Sequence, residues 1–203
     1  MRIGVLALQG DVVEHLRALE ESGVNAITVK SQPELESVDG LIIPGGESTT
    51  VMKLLDRFHL ADPITARARG GMPLWGTCMG MIVIAREVAG LPQPTLDLID
   101  ISVRRNAFGR QNDSAEVPLD IPALGAQKFP AIFIRAPWVE RSGAAVQMLA
   151  QRDGHPVMVR QENILATAFH PELSPDRRVH EYFLDMVRAA GPVRAQGKGR
   201  KIA

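Results

Sequence analysis

Apolar runs alternate with segments of helical periodicity through the first part of the chain. Residues 3–8 form a short apolar run, and after it Leu16 and Leu19 recur at helical spacing until Gly23. The same succession continues with "NAITVK", and then with "DGLIIPGG" followed by "ESTTVMKLLDRF". Strands that alternate with helices predict an α/β fold with a mostly parallel sheet and helices on its faces.

The stretch "PLWGTCMGMIVIA" is predicted to be the fourth such unit. Leu74 and Trp75 end a strand, "MGMIVIAREV" begins a helix, and Cys78 falls at the turn between them. Ligands of open parallel sheets bind at the carboxyl ends of the strands. We therefore expect Cys78 to lie on the functional edge of the sheet.

The second half of the chain has a different sequence pattern. From about Leu91, prolines punctuate short strand-like runs, and Asp153-Gly154 in "RDGHP" predicts a hairpin. "DRRVHEYFLDMVRAA" predicts a closing amphipathic helix. We expect one domain over residues 1–190 with an antiparallel, strand-rich C-terminal half, and a disordered basic tail over residues 191–203.

Composition narrows the possible partners and compartment. Lys and Arg number 23 and Asp and Glu number 23, so the net charge is zero and a dedicated nucleic-acid binder is not indicated. The N-terminal apolar run is too short for a signal peptide, and no apolar run is long enough for a membrane span. The single cysteine cannot form an internal disulfide. These features predict a cytoplasmic protein without nucleic-acid or membrane partners.

The single thiol stands in a pattern typical of a nucleophile. Gly76-Thr77-Cys78-Met79-Gly80 resembles in outline the Gly-x-Ser-x-Gly elbow, in which a tight turn exposes the central side chain. A helix N-terminus also favours a thiolate. A cysteine without partners is more often a buried packing residue, so neighbouring groups must decide between the two interpretations.

The best partner for the thiol lies in "AFHPEL". His170 and Glu172 are two residues apart, so in an extended chain they point the same way, and Pro171 favours that geometry. Glu172 can then hold the His170 ring through one ring nitrogen, while the other ring nitrogen faces the Cys78 thiol. A plain turn at a strand end is the alternative. The remaining four histidines are predicted to be surface or packing residues: His15, His59, His155 and His180.

A third cluster, "IIPGGEST", places a glycine turn between a strand and a helix. Its backbone N–H groups could serve as an oxyanion hole beside the N–H of Met79. A phosphate cradle is less suitable, because Lys53 comes too late for a P-loop lysine. A simple helix cap by Glu47 or Ser48 is compatible with either function.

Together these motifs resemble the triad (class I) glutamine amidotransferases, and more narrowly the family of glutaminase subunits of pyridoxal 5'-phosphate synthase. The segments that carry the resemblance are "LALQGD", "PGGEST", "GTCMGM", "RNAFGRQ", "FIRAP" and "HPEL", which extend over nearly the whole chain up to Leu173. The resemblance implies a flavodoxin-like doubly wound fold. It also implies hydrolysis of L-glutamine to L-glutamate and ammonia, with no cofactor and no metal.

The same resemblance implies roles for individual residues. Cys78 would be the nucleophile, His170 the proton carrier and Glu172 the residue that orients it, while Gly46 and Met79 would supply the oxyanion N–H groups. The residues implied to hold the amino-acid end of glutamine are Gly46, Glu47, Ser48, Arg105, Ile134 and Arg135.

The resemblance also implies a partner, a synthase subunit that receives the ammonia within a hetero-oligomer. Gln9 and Gly10 occupy the positions where the family contacts this partner. Two positions depart from the family pattern: Met79 stands where alanine is usual, and Ala115 where an aromatic residue is usual.

Other functions stay open on the sequence alone. The glutaminase could serve another synthase, for example one in histidine biosynthesis. Cys78 could instead be a redox-sensing thiol on a non-catalytic module. A zinc site made by Cys78, His170 and Glu172 is a weaker possibility, because no second cysteine or histidine stands at ligand spacing.

Overall fold

A seven-stranded sheet forms the centre of the computed structural model, which describes residues 1–107 and 114–191. Its strands follow the order β10-β11-β12-β4-β3-β1-β2. Their bounds are β1 Arg2–Leu6, β2 Asn25–Val29, β3 Gly40–Ile43, β4 Leu74–Thr77, β10 Gln147–Arg152, β11 His155–Gln161 and β12 Ile164–Thr167. The tail predicted to be disordered lies almost wholly outside the described residues, as does the end of the "RNAFGRQ" motif.

Five strands of this sheet are parallel, in the order β2-β1-β3-β4-β12. This order, with a reversal between β1 and β3, is that of flavodoxin-like sheets and confirms the predicted fold class. β11 and β10 continue the sheet in antiparallel fashion, with the predicted hairpin at Asp153-Gly154 between them.

Six helices accompany the strands in the described part of the chain. They are α1 Val12–Glu21, α2 Gln32–Glu36, α3 Ser48–Arg57, α4 Ala61–Arg69, α5 Met79–Ile84 and α6 Arg178–Ala190. Every residue of β3, β4 and β12 is buried. Since alternate side chains of a strand point to opposite faces, both faces of the central sheet are covered.

The closing helix α6 buries the face predicted from its periodicity. Val179, Phe183, Met186 and Val187 are all buried. The Phe183 ring packs on Trp75 of β4 with centroids 5.5 Å apart. The described residues include no helix long and apolar enough to cross a membrane.

The helix expected after Cys78 is shorter than its sequence suggests. α5 ends at Ile84, and Ala85–Val88 forms strand β5, which pairs in parallel with β6. The β-branched run before Ala85 has low helix propensity, and strand pairing offers its backbone an alternative.

The strand-rich second half forms two further small sheets. One contains β5, β6 Ile99–Arg104 and β9 Trp138–Ser142. The other is the hairpin of β7 Ser114–Leu119 and β8 Phe129–Ile134. Because β8 and β9 lead into and out of the "FIRAP" loop, these sheets present that loop to the edge where β4 ends.

Candidate active site

Cys78 occupies a strained turn between β4 and α5. Its backbone has φ 49° and ψ −109°, a conformation that is costly for a residue with a Cβ. A Cβ on Gly76 would overlap the Gly80 carbonyl, and one on Gly80 would overlap the Ile43 carbonyl. The two glycines therefore allow the strand and helix to approach closely enough for this turn, as the elbow pattern predicts.

The pairing of β4 with β12 brings Cys78 and His170 to the same edge of the sheet. Thr77 and Thr167, the last residues of the two strands, are in register, and the Cys78 N–H donates to the Thr167 carbonyl at 2.7 Å. His170 follows three residues later and is anchored by its own N–H, which donates to the Ile132 carbonyl at 2.7 Å. Backbone hydrogen bonds thus position both predicted catalytic residues.

Glu172 holds the His170 ring as the His-Pro-Glu spacing predicts. His170 Nδ1 lies 2.7 Å from Glu172 Oε1, and both side chains are buried. The carboxylate is on a 3₁₀ turn, Pro171–Leu173, rather than on an extended strand. The turn after the strand and the contact between His170 and Glu172 therefore coexist.

Opposing effects act on the protonation of this pair. Burial lowers the pKa of His170, but hydrogen bonds to Asp11, Cys78 and Glu172 outweigh it and raise that pKa well above the usual range. Burial raises the pKa of Glu172, and the contact with His170 only partly counteracts this effect. The neighbouring groups therefore favour the protonated form of His170, the form that can donate a proton to a leaving group.

Asp11 is a second carboxylate beside His170, and it was not among the residues singled out from the sequence. Its Oδ2 lies 3.4 Å from His170 Nδ1. The hydrogen bond to His170 lowers the pKa of Asp11, against a smaller opposing effect of partial burial. Only the proximity of "LQGD" to the functional strand edge could have suggested it.

Asp11, His170 and Glu172 are also the one cluster of the described residues whose side chains lie close enough to hold a metal ion. Both carboxylates, however, face the same ring nitrogen, at 3.4 and 2.7 Å. That nitrogen is within hydrogen-bonding distance of Glu172 Oε1 and forms a longer ion-pair contact with Asp11 Oδ2, so the two carboxylates flank one imidazole nitrogen.

A cavity of about 330 Å³ opens above Cys78. The residues predicted from the sequence that line it are Gln9, Gly10, Gly46, Glu47, Ser48, Cys78, Met79, Arg105, Ile134, Arg135 and His170. Glu172 stands behind His170, outside the lining. The lining residues that were not predicted are Asp11, Ile82, Asn106, Pro137 and Leu173. All the predicted residues thus gather at one place, although they come from separate loops.

A second part of the cavity wall is polar and charged. Arg105 Nη2 lies 3.6 Å from Glu47 Oε2. Gln93 joins this pair to α3, because its Oε1 accepts from Ser48 Oγ at 3.2 Å and from Arg105 Nη1 at 3.4 Å. Gln93 carried no signal in the sequence, since it lies in a proline-rich loop without a motif.

The loop at Ile134-Arg135 and the glycine turn at Gly46 also line the cavity. The Ile134 carbonyl accepts from the Cys78 thiol at 3.7 Å, and Arg135 has φ 45°. Gln9 Oε1 accepts the Glu47 N–H at 2.7 Å and lies against Gly46, where a Cβ would overlap it. The residue predicted to contact a partner therefore touches the turn predicted to hold an oxyanion.

The other histidines are packing or surface residues, as predicted. His15 and His180 are fully buried and His59 is exposed. His15 does more than pack, however, because its Nε2 lies 3.4 Å from Glu172 Oε2. No spacing in the sequence indicates this contact.

A cysteine at a strained strand-to-helix turn, a histidine and a buried glutamate on a doubly wound sheet are typical of α/β hydrolytic enzymes that use a cysteine nucleophile. Comparison with known proteins specifies it further. The pattern of the SNO glutamine amidotransferase family matches residues 5–189, and the chain belongs to this family.

Curated relatives agree with that assignment. The chain is 56% identical over 189 residues to a protein of Mycobacteroides abscessus named pyridoxal 5'-phosphate synthase subunit PdxT, covering 92% of this chain and 97% of the relative. A protein of the same name from Moorella thermoacetica is 53% identical over 187 residues, covering 92% and 100%.

Solved structures give the same result. One described as a glutamine amidotransferase superposes with a TM-score of 0.87 at 45% identity, covering 92% of this chain and 98% of that one. A chain of PurLQS from Thermotoga maritima, at 15% identity and a TM-score of 0.65, shares the fold and covers 91% and 97%. The predicted family, fold and enzyme class, a glutaminase of the vitamin B6 branch, are confirmed.

Proposed function

We propose that this chain is the glutaminase subunit of a pyridoxal 5'-phosphate synthase, with Cys78, His170 and Glu172 as its catalytic triad. The observation that carries the proposal is the 2.7 Å contact between His170 Nδ1 and Glu172 Oε1, beside a strained Cys78 at the adjoining strand end. Glu172 occupies Nδ1, so Nε2 is the ring nitrogen that serves the thiol.

The first half-reaction forms a thioester. The Cys78 thiolate attacks the side-chain amide carbon of glutamine, and the carbonyl oxygen takes up the negative charge. His170 Nε2 then donates its proton to the amide nitrogen, the carbon–nitrogen bond breaks, and ammonia leaves. The rise of the His170 pKa supports this role, because it keeps the ring protonated before the attack.

The second half-reaction releases glutamate. His170, now neutral, takes a proton from water, and the resulting hydroxide attacks the thioester carbon. The carbon–sulfur bond breaks and returns the Cys78 thiolate. The proton on His170 restores the imidazolium for the next cycle.

Backbone N–H groups of Gly46 and Met79 stabilise the oxyanion in this scheme. Both residues line the cavity, and Met79 is the first residue of α5, where N–H groups are free of helical partners. Donors of this kind contribute about 3 to 4 kcal/mol each to the transition state. Met79 acts through its backbone, which its side chain does not change.

The charged wall binds the amino-acid end of glutamine. Arg105 pairs with the α-carboxylate through its guanidinium fork, and Glu47 with the α-ammonium group. Their 3.6 Å separation in the free protein supports this assignment, because each offers the charge that the zwitterion needs. Ser48, Ile134 and Arg135 complete the wall around it.

The ammonia passes to a synthase subunit in a hetero-oligomer located in the cytoplasm. The printed names of the relatives describe subunits of pyridoxal 5'-phosphate synthase, which supports such a partner. Gln9 and Gly10 contact it. Because Gln9 holds the Glu47 N–H, a partner that moves Gln9 also adjusts the oxyanion turn.

The test measures glutamate release from glutamine by the wild-type chain and by Cys78→Ala, each alone and with a pyridoxal phosphate synthase subunit. We expect turnover that the subunit stimulates and that Cys78→Ala abolishes. His59→Gln, an exposed histidine change outside the cavity, serves as the control and keeps wild-type turnover.

Turnover that survives in Cys78→Ala would contradict the thiol mechanism. Equal activity with and without the subunit would contradict activation by that partner. Stimulation by a different synthase, such as one from histidine biosynthesis, would reassign the pathway while leaving the chemistry in place.

A further inference from the structure

A buried histidine lies directly behind the triad. His15, on α1, is fully buried, and its Nε2 lies 3.4 Å from Glu172 Oε2 and 3.2 Å from Thr77 Oγ1. Thr77 immediately precedes Cys78. His15 therefore stands between the residue before the nucleophile and the carboxylate that orients the proton carrier.

A second buried histidine continues this line of contacts. His15 Nδ1 lies 3.2 Å from His180 Nε2 on α6. The far nitrogen of His180, Nδ1, is buried and has no hydrogen-bond partner among the described residues. Glu172 Oε2 likewise has none at hydrogen-bonding geometry in the described structure, so the neighbouring His15 N–H is the donor offered to it.

These contacts select one tautomer for each ring. A buried nitrogen without a partner costs less as a bare acceptor than as an N–H, so the His180 proton sits on Nε2 and is donated to His15 Nδ1. The His15 proton then sits on Nε2, directed at Thr77 Oγ1 and Glu172 Oε2. The opposite arrangement would strand a buried N–H on His180 and place a lone pair of His15 against the Glu172 carboxylate.

Both rings are neutral, as this arrangement requires. Burial is the main cause that lowers the pKa of His15 well below its usual range, and the nearby His180 and His170 lower it further. Burial, with the charge of Arg177, lowers the pKa of His180 to about 3. Both rings also pack edge-on against Trp75, with centroids 5.6 and 5.0 Å from its ring, which restricts their orientation.

We propose that His15 is a positioning residue of the glutaminase reaction: a hydrogen bond from His180 sets the His15 tautomer, so that the His15 Nε2 proton faces Glu172 Oε2 at 3.4 Å and fixes the carboxylate that holds His170. The proposal rests on the proposed function for its link to catalysis. An isolated carboxylate in a buried site can rotate, whereas one whose second oxygen faces an N–H is favoured in a single orientation. His15 acts through Glu172 and touches no substrate.

The first test needs no substitution at His15. Two-bond ¹H–¹⁵N correlation spectra of ¹⁵N-histidine-labelled wild-type chain at pH 7 report the tautomer of each ring. Single-histidine variants of the other positions provide the assignment. We expect neutral rings with the proton on Nε2 for both His15 and His180. A proton on Nδ1 of His15 would overturn the proposal, because Glu172 would then receive no donor from it.

The second test compares His15→Phe, which removes the donor, with His15→Gln, which keeps an N–H within reach of Glu172. Glutamine turnover with the synthase subunit should show kcat lower by about 10- to 100-fold in His15→Phe, with KM changed less than about threefold. His15→Gln should recover most of kcat. His59→Gln is the matched control at an exposed histidine.

Alkylation of the free chain by iodoacetamide separates this proposal from the proposed function. Cys78 is the only cysteine, so the rate at pH 7 reports the reactivity of this thiol beside His170 without glutamine or partner. We expect slower alkylation in His15→Phe and a restored rate in His15→Gln. Circular dichroism should show that both variants are folded. Wild-type rates of alkylation and turnover in a folded His15→Phe would overturn the proposal.

Failure of wild-type turnover with the synthase subunit would instead contradict the proposed function. The tautomers and the alkylation rates would still test His15 in that case. If His15→Phe does not fold, the wild-type spectra and the His15→Gln rates decide the proposal.

Discussion

The two walls of the active-site cavity are built differently. On the wall that we propose to be catalytic, Cys78, His170 and Glu172 are at most 8% exposed and are placed by strand pairing and backbone hydrogen bonds. On the binding wall, the side chains of Glu47 and Arg105 are 51% and 26% exposed and are joined by long polar contacts. One wall is set by the sheet, and the other by side chains on loops.

This difference separates two requirements of the reaction. Proton transfer and nucleophilic attack need geometry held within a fraction of an ångström, which the buried wall supplies. Recognition of a zwitterionic amino acid needs charges that can adjust to the ligand, which the exposed wall supplies. Substitutions on the first wall should therefore change kcat, and those on the second should change KM.

Glu172→Gln should have the largest effect. The amide keeps the shape but removes the charge that stabilises the His170 imidazolium, so kcat with the synthase subunit should fall by about 10³- to 10⁴-fold. Thermal stability should be retained or increased, because burial already disfavours the charge of Glu172. Steady-state kinetics and a melting curve measure the two effects.

Glu181→Gln, a change at a partly exposed glutamate of α6 outside the cavity, is the matched control and should leave kcat unchanged. A kcat for Glu172→Gln within about threefold of wild type would remove Glu172 from the triad.

Arg105→Ala should have a smaller effect, which appears in KM for glutamine rather than in kcat. Loss of the guanidinium fork should raise KM for glutamine by about 10- to 100-fold, with kcat within a few-fold of wild type. Arg104→Ala, which removes an exposed arginine paired with Glu140 outside the cavity, is the control and should leave KM unchanged. An effect on kcat alone would mean that the two walls do not divide the reaction in this way.

The smallest expected effect is on stability and comes from His180. Its pKa is lowered to about 3 in the folded chain, so it stays neutral while the unfolded chain takes up a proton below about pH 6.5. This group therefore costs stability as pH falls, by about 2 kcal/mol at pH 5 relative to pH 7. His180→Phe should lose less stability over that range.

Urea unfolding of both proteins at pH 7 and pH 5 measures the difference. His170 acts in the opposite direction, because its raised pKa stabilises the fold at low pH, but it is present in both proteins and cancels. Equal losses in wild type and variant would show that His180 is not buried in neutral form.

The fold and the meeting of Cys78, His170 and Glu172 at one sheet edge could be predicted from the sequence because their signals are local. The alternation of apolar runs and helical segments lies within about ten residues at a time, and so do the glycines around Cys78 and the spacing of His170 and Glu172. The binding wall depended on resemblance, since Arg105 and Arg135 taken alone resemble solvated surface residues. Residues 108–113, which include the end of the "RNAFGRQ" motif, lie outside the described residues.

Three features of the site were not predictable in this way. Asp11, His15 and Gln93 come from a loop, a helix and a proline-rich segment whose patterns carry no catalytic signal. Each gains its role from a neighbour that is distant in sequence: His170 for Asp11, Glu172 for His15, and the Ser48–Arg105 pair for Gln93.

The sequence by itself determined the order of the elements, the turn at Cys78 and the pairing of His170 with Glu172, because sterics and periodicity act between near neighbours. The tertiary structure alone decided that β12 lies beside β4, that the helix after Cys78 stops at Ile84, and that His15 and His180 lie behind Glu172. Strand pairing, burial and tautomers depend on groups brought together from distant segments, and their energies exist only once the chain is packed.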